Sequence, residues 1–145
     1  TFHCCAKSEL YSVDKTFKIW GHPLYGGIYK NTHIIKNCLE VYANDYAFLI
    51  QNDVDEQDFN VIDDPDRGII TVLGHPLYGG HLKQFRNINK NIDRYTLKNV
   101  YKTKYSFTLK LEDTTKRSFD SDGNIVDRTY LYYTLGIHST NIITE

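Results

Sequence analysis

The chain has 145 residues with 17 Lys+Arg against 18 Asp+Glu, a net charge of −1. That length suits one domain, and that balance excludes a polycation of the histone type. Hydrophobic residues make up 41% and charged residues 24%, which excludes a disordered chain, and no window approaches the roughly eighteen apolar residues of a membrane-spanning helix.

Strong helix formers are scarce (Ala 3, Met 0), whereas Tyr 12, Ile 14, Thr 13, Val 7 and Phe 7 abound. This is the composition of an all-β protein. The chain opens Thr1-Phe2-His3-Cys4-Cys5 and lacks Met, which reads as a processed product or an excised domain. An N-terminal arm over 1–15, with room for one short turn of helix in Lys7–Lys15, leads into a strand at Thr16–Trp20.

Cysteines stand at 4, 5 and 38, an odd number. A bond between adjacent cysteines strains the intervening peptide, so the expected disulfide joins Cys38 to Cys4 or Cys5 and leaves one thiol over. Three reduced thiols are the alternative. There is no Cys-x-x-Cys or paired Cys/His spacing, so no metal site and no cofactor is expected.

The heptapeptide Gly21-His22-Pro23-Leu24-Tyr25-Gly26-Gly27 recurs letter for letter at Gly74-His75-Pro76-Leu77-Tyr78-Gly79-Gly80. Further on, Tyr42-x3-Tyr46-x-Phe48-x-Ile50 matches Tyr101-x3-Tyr105-x-Phe107-x-Leu109, and strands end Leu-Gly at 73–74 and 135–136. These matches indicate an internal repeat: one β domain over 1–145, with unit one at about 16–73 and unit two at about 74–145.

In unit one, strands are expected near 28–36, 39–51 (with a break at Asn44), 57–63 and 68–74. In unit two they are expected near 81–87, 92–100, 103–111 and 124–136. Within 101–111, Tyr101, Tyr105, Phe107, Leu109 and Leu111 alternate with Lys102, Lys104, Thr108 and Lys110, a half-buried period-two pattern. Tyr130–Leu135 is apolar on both parities and reads as a strand buried on both sides. About nine strands result, as an internally duplicated antiparallel barrel or a two-sheet sandwich. A three-fold arrangement is disfavoured, because only nine residues come after Gly136.

Pro fixes φ and Gly-Gly permits positive φ, so the heptapeptide is a shaped loop that sets an imidazole and a phenol beside backbone amides. The candidate ligand-binding residues are therefore His22, Tyr25, Gly26 and Gly27 with His75, Tyr78, Gly79 and Gly80. A structural corner is the competing reading. Residues 81–117 carry ten basic side chains against three acidic ones, while 53–66 holds seven acidic residues and no basic one. Lys98, Lys102, Lys104 and Lys110 are read as one strand face able to bind a polyanion.

No nucleophile, phosphate-loop or dinucleotide motif occurs. The expected function is a non-enzymatic, lectin-like binding module, secreted or surface-exposed, whose ligand is a glycan, a small molecule or a protein. One alternative is an assembly protein that self-associates through its acidic and basic halves. The other is a metal-dependent hydrolase built on His22, His75 and His138.

Overall fold

A computed structural model describes residues 6–11, 16–22, 33–35, 38–54 and 68–137. The described residues form an all-β protein of nine strands: β1 Ala6–Tyr11, β2 Thr16–Gly21, β3 His33–Ile35, β4 Cys38–Ala43, β5 Ala47–Asn52, β6 Ile70–Gly74, β7 Tyr95–Thr103, β8 Ser106–Phe119 and β9 Ile125–Gly136. They pair antiparallel as three three-stranded sheets, β1-β2-β3, β4-β5-β6 and β7-β8-β9. The all-β class is the expected one, but among the described residues the strands are not those expected one for one, and the pairing does not close a barrel.

The three sheets share one local device. Trp20-Gly21, Leu73-Gly74 and Leu135-Gly136 each end a strand, and each glycine pairs with a small residue opening the preceding strand: Ala6, Ala47 and Ser106. The hairpin is thus present three times, where the sequence pattern indicates two units. The first sheet differs in that its third strand, β3, comes after the glycine-ending strand and lies on its outer edge.

The central strand of the β4-β5-β6 sheet, β5, is buried on both faces. On one face Ala47, Leu49 and Ile70 join Phe85, Leu97, Phe107, Leu109, Leu111 and Leu135 in the larger core. On the other face Phe48 and Ile50 pack with Phe17 and Cys38, the Phe17 and Phe48 rings meeting edge-on at 5.9 Å. The unbroken apolar run Ala47-Phe48-Leu49-Ile50 has this as its cause, since both parities face a core. Each large side chain buried here contributes about 1.5–3 kcal/mol of transfer free energy.

Several expectations are corrected. Within the span given room for a turn of helix, Lys7–Tyr11 is strand, and residues 12–15 lie outside the described residues. Residues 81–87 are not a strand: a 3-10 turn at Lys83–Phe85 runs into the short helix α1, Arg86–Lys90. The doubly buried strand is β5 rather than Tyr130–Leu135, because β9 is an edge strand that leaves Tyr130 and Tyr132 exposed. The segment 101–111 is also not one strand. A tight turn at Lys104-Tyr105 splits it, pairing Lys102 with Phe107 and Tyr101 with Thr108. Phe107, Leu109 and Leu111 point inward as expected, but Tyr105 is exposed at the turn and Tyr101 lies on the opposite face from Phe107. The predicted strand at 57–63 lies outside the described residues.

Candidate functional site

The second heptapeptide sits where two hairpin turns meet. The turn between β4 and β5 is shaped by Asn44, whose Oδ1 accepts from the Tyr46 and Ala47 N–H groups at 2.8 Å each. The turn between β7 and β8 is shaped by Thr103, whose Oγ1 accepts from the Tyr105 N–H at 3.2 Å and lies 2.7 Å from Ser106 Oγ. The His75 N–H donates to Tyr46 O at 3.0 Å, and the Ile137 N–H donates to Tyr105 O at 3.2 Å. The two turns are thus tied to the chain leaving Gly74 and Gly136 by the same bond.

Within the loop, His75 O accepts from the Tyr78 and Gly80 N–H groups, at 3.0 and 2.9 Å, and His75 Nδ1 accepts from the Leu77 N–H at 3.2 Å. Asn44 Nδ2 donates to Tyr78 O at 3.0 Å, fastening the loop to the first turn. At Gly79, backbone packs directly on Phe107, since a Cβ there would stand 2.7 Å from its ring.

These bonds gather four rings. Tyr46 stacks on Tyr105 at 5.7 Å with an interplanar angle of 16°, and lies 4.4 Å from Tyr78. Tyr78 also meets His75 at 4.6 Å and Tyr105 at 5.5 Å. Tyr105 is 40% exposed and Leu77 56% exposed, so the pile opens to solvent on one side. Beside it Lys104 Nζ lies 5.5 Å from the Tyr105 ring centroid and 3.9 Å from Asp45 Oδ2.

Of the residues expected to bind ligand, the structure brings His75, Tyr78 and Gly79 into this corner. Gly80 instead lines a shallow cleft of about 240 Å³ with Thr71, Val72, Leu73, His81, Leu82 and Arg86. His22 is half-buried, whereas Tyr25, Gly26, Gly27 and His138 lie outside the described residues. Cys38 is 2% exposed in the smaller core, and Cys4 and Cys5 lie outside the described residues. Among the described residues no group of three His, Cys, Asp or Glu is arranged to hold a metal.

The four lysines do not share a face. Lys98 Nζ lies 3.4 Å from Glu112 Oε1 and Lys110 Nζ lies 4.4 Å from the Tyr130 ring centroid, both on the outer face of the sheet. Lys102 pairs with Phe107 on the other face, and Lys104 is in the turn. The physical reasons are a bulge between Leu97 and Asn99, which separates Lys98 from Lys102, and the turn at 104–105, which separates Lys102 from Lys110.

Sequence reasoning missed the carboxylate pair Glu112 and Asp113. Both are buried in β8, beside a bulge where Asp113 pairs with Thr129 and the next pair is Ser118 with Asp127. Arg117 binds Glu112 through Nε at 2.6 Å and Nη2 at 3.0 Å, and Arg128 Nη1 adds a bond at 3.1 Å. The Arg117 hydrogen bond outweighs burial and holds Glu112 at about 2, below its ordinary 4.5. Asp113 takes a fork from Arg94, with Nη2 at 2.9 Å and Nε at 3.2 Å, and accepts Thr115 Oγ1–H at 2.6 Å. The Arg94 bond first, then Thr115, holds its acidity far below the carboxylate range. Such fully ionised, fully bonded carboxylates are suited to holding a bulge in shape.

Comparison with protein-family models, with curated proteins and with solved structures finds no match.

Proposed function

We propose that the protein is a non-enzymatic binding module that takes a glycan at the aromatic corner of Tyr46, His75, Tyr78 and Tyr105. The observation that carries this reading is Tyr105: a 40% exposed ring, stacked on Tyr46 and flanked by a lysine and an aspartate that are themselves exposed. A ring already fixed by its neighbours loses little freedom on binding. Its electron-rich face suits the C–H face of a sugar, while Lys104 and Asp45 offer donors and acceptors to ring hydroxyls. The heptapeptide then serves as the scaffold that holds the pile together.

Two further features support binding over acid–base chemistry. The two carboxylates with displaced acidity are locked as ions by arginine forks, which leaves them poor proton carriers near neutral pH. His75 already spends Nδ1 on the loop's own Leu77 N–H.

The test is a glycan array probed with wild-type protein and with Tyr105→Ala. That residue is in an exposed turn, so the substitution spares both cores. Binding to a defined set of glycans, weakened at least tenfold by Tyr105→Ala, is expected, roughly the loss of one good aromatic contact. Glycan binding unaffected by Tyr105→Ala, or none by wild type, removes the reading.

A further inference from the structure

The cleft beside Gly80 is a sheet edge. Three consecutive residues of β6, Thr71, Val72 and Leu73, line it together, which a strand does only along its edge. β6 is the outer strand of its sheet, bonded on one side to β5. The direction of its backbone groups is set by the rungs around it. Ile70 turns its N–H and C=O away from β5, to Asn89 Oδ1 at 2.8 Å and Asn89 Nδ2 at 3.0 Å. The His75 N–H points back to Tyr46 on the β5 side. Antiparallel strands alternate, so the N–H and C=O of Val72 point outward, into the cleft. Among the described residues no hydrogen bond caps them.

The first hairpin shows what such an edge accepts. Counted back from Gly21 and Gly74, Phe17 corresponds to Ile70 and Ile19 to Val72. On β2 that same edge carries a strand: β3 pairs Ile35 with Phe17 and His33 with Ile19. Counted forward, the residues matching β3 are 86–88, and here they are helical. The helix leaves one rung built, by the Asn89 side chain on Ile70, and the next rung open at Val72.

Charge narrows the occupant. The cleft wall contributed by residues 81–90 contains His81, Lys83, Arg86 and Lys90 and no acidic residue, and His81 and Arg86 line the cleft itself. We infer that the β6 edge binds an extended, acidic peptide segment of a partner protein, which adds as an antiparallel strand at Val72 with its carboxylates toward Arg86 and His81.

The probe is a fluorescein-labelled peptide of three valine–glutamate repeats, with three valine–lysine repeats as its charge-reversed counterpart, read by fluorescence anisotropy. Val72→Pro removes the outward N–H and leaves the ladder to β5 intact, since an outward-facing edge position is one where a strand tolerates proline. The acidic peptide is expected to bind wild type, about tenfold more weakly to Val72→Pro and severalfold more weakly to Arg86→Gln. In wild type, the Val72 amide should exchange more slowly with peptide present, while Thr71 and Leu73, already bonded to β5, stay unchanged. If Val72→Pro fails to fold, that exchange measurement decides alone. Equal binding by Val72→Pro, equal binding of the basic peptide, or unchanged Val72 exchange at saturation overturns the inference. Val72 protection that appears with protein concentration and without peptide also overturns it, because the occupant is then a second copy.

Discussion

Asn89 acts on Ile70 as a strand would. Its Oδ1 accepts the Ile70 N–H at 2.8 Å and its Nδ2 donates to the Ile70 carbonyl at 3.0 Å, while its own backbone oxygen accepts the Ile69 N–H at 2.9 Å. A single side chain thereby closes the start of β6 on a fully buried site.

Asn89→Ala strands one donor and one acceptor in the core, and should cost about 2–4 kcal/mol. Asn87→Ala, exposed on the same short helix, should stay within about 0.5 kcal/mol. Urea unfolding of the two variants checks this, and similar midpoints would show that the Asn89 bonds carry no weight.

Gly74 and Gly136 hold the same place in two hairpins and should respond alike. Their φ values are +126° and +106°, and a Cβ on Gly74 would stand 2.5 Å from Tyr46 O, with Tyr105 O taking the same position for Gly136. Alanine at either site should cost more than about 2 kcal/mol, from the φ penalty plus a backbone clash. Gly123, at φ +83° with nothing within 4 Å, carries the φ penalty alone, about 1 kcal/mol. Thermal unfolding should rank Gly74→Ala and Gly136→Ala together, below Gly123→Ala.

Stability should fall in acid, and Glu112 gives the window. Its folded-state value of about 2 lies below its ordinary 4.5, so the folded protein binds fewer protons than the unfolded chain between them. The stabilisation is then complete above about pH 4.5 and is lost as pH falls toward 2. Asp113, shifted the same way by Arg94 and Thr115, extends the loss to lower pH. The urea midpoint of wild type should drop steadily from pH 5 to pH 2. Glu112→Gln should start lower and show a shallower drop, and an unchanged slope would refute the role given to Arg117.

Cys38 opens β4 at 2% exposure, packed with Phe17, Phe48 and Ile50. A bond from it to Cys4 or Cys5 leaves one thiol in the unfolded, unreduced protein, and we expect thiol titration to find one. A count of three would dismiss the staple.

The class of fold was legible from composition, because β-branched and aromatic residues outnumber helix formers throughout. The turn at Asn44 and the Leu-Gly strand ends were legible, since Asn supplies its own turn acceptor and glycine supplies positive φ. Phe107, Leu109 and Leu111 were placed inward correctly by their alternation. Each of these properties is local, carried by a residue and its neighbours in sequence.

Tertiary structure alone decided the rest. Tyr101 to Leu111 alternates as one strand would, yet the chain turns at Lys104-Tyr105, and Lys102 falls on the same face as Phe107. Tyr130–Leu135 and Ala47–Ile50 are equally apolar, but only the second run has cores on both faces. At matching distances after the two heptapeptides, His33-Ile34-Ile35 pairs as a strand on β2 whereas Arg86-Asn87-Ile88 is helical beside β6. Long-range burial and edge pairing exert forces as large as local preference, and which faces of a strand find a core is settled only by elements distant in sequence.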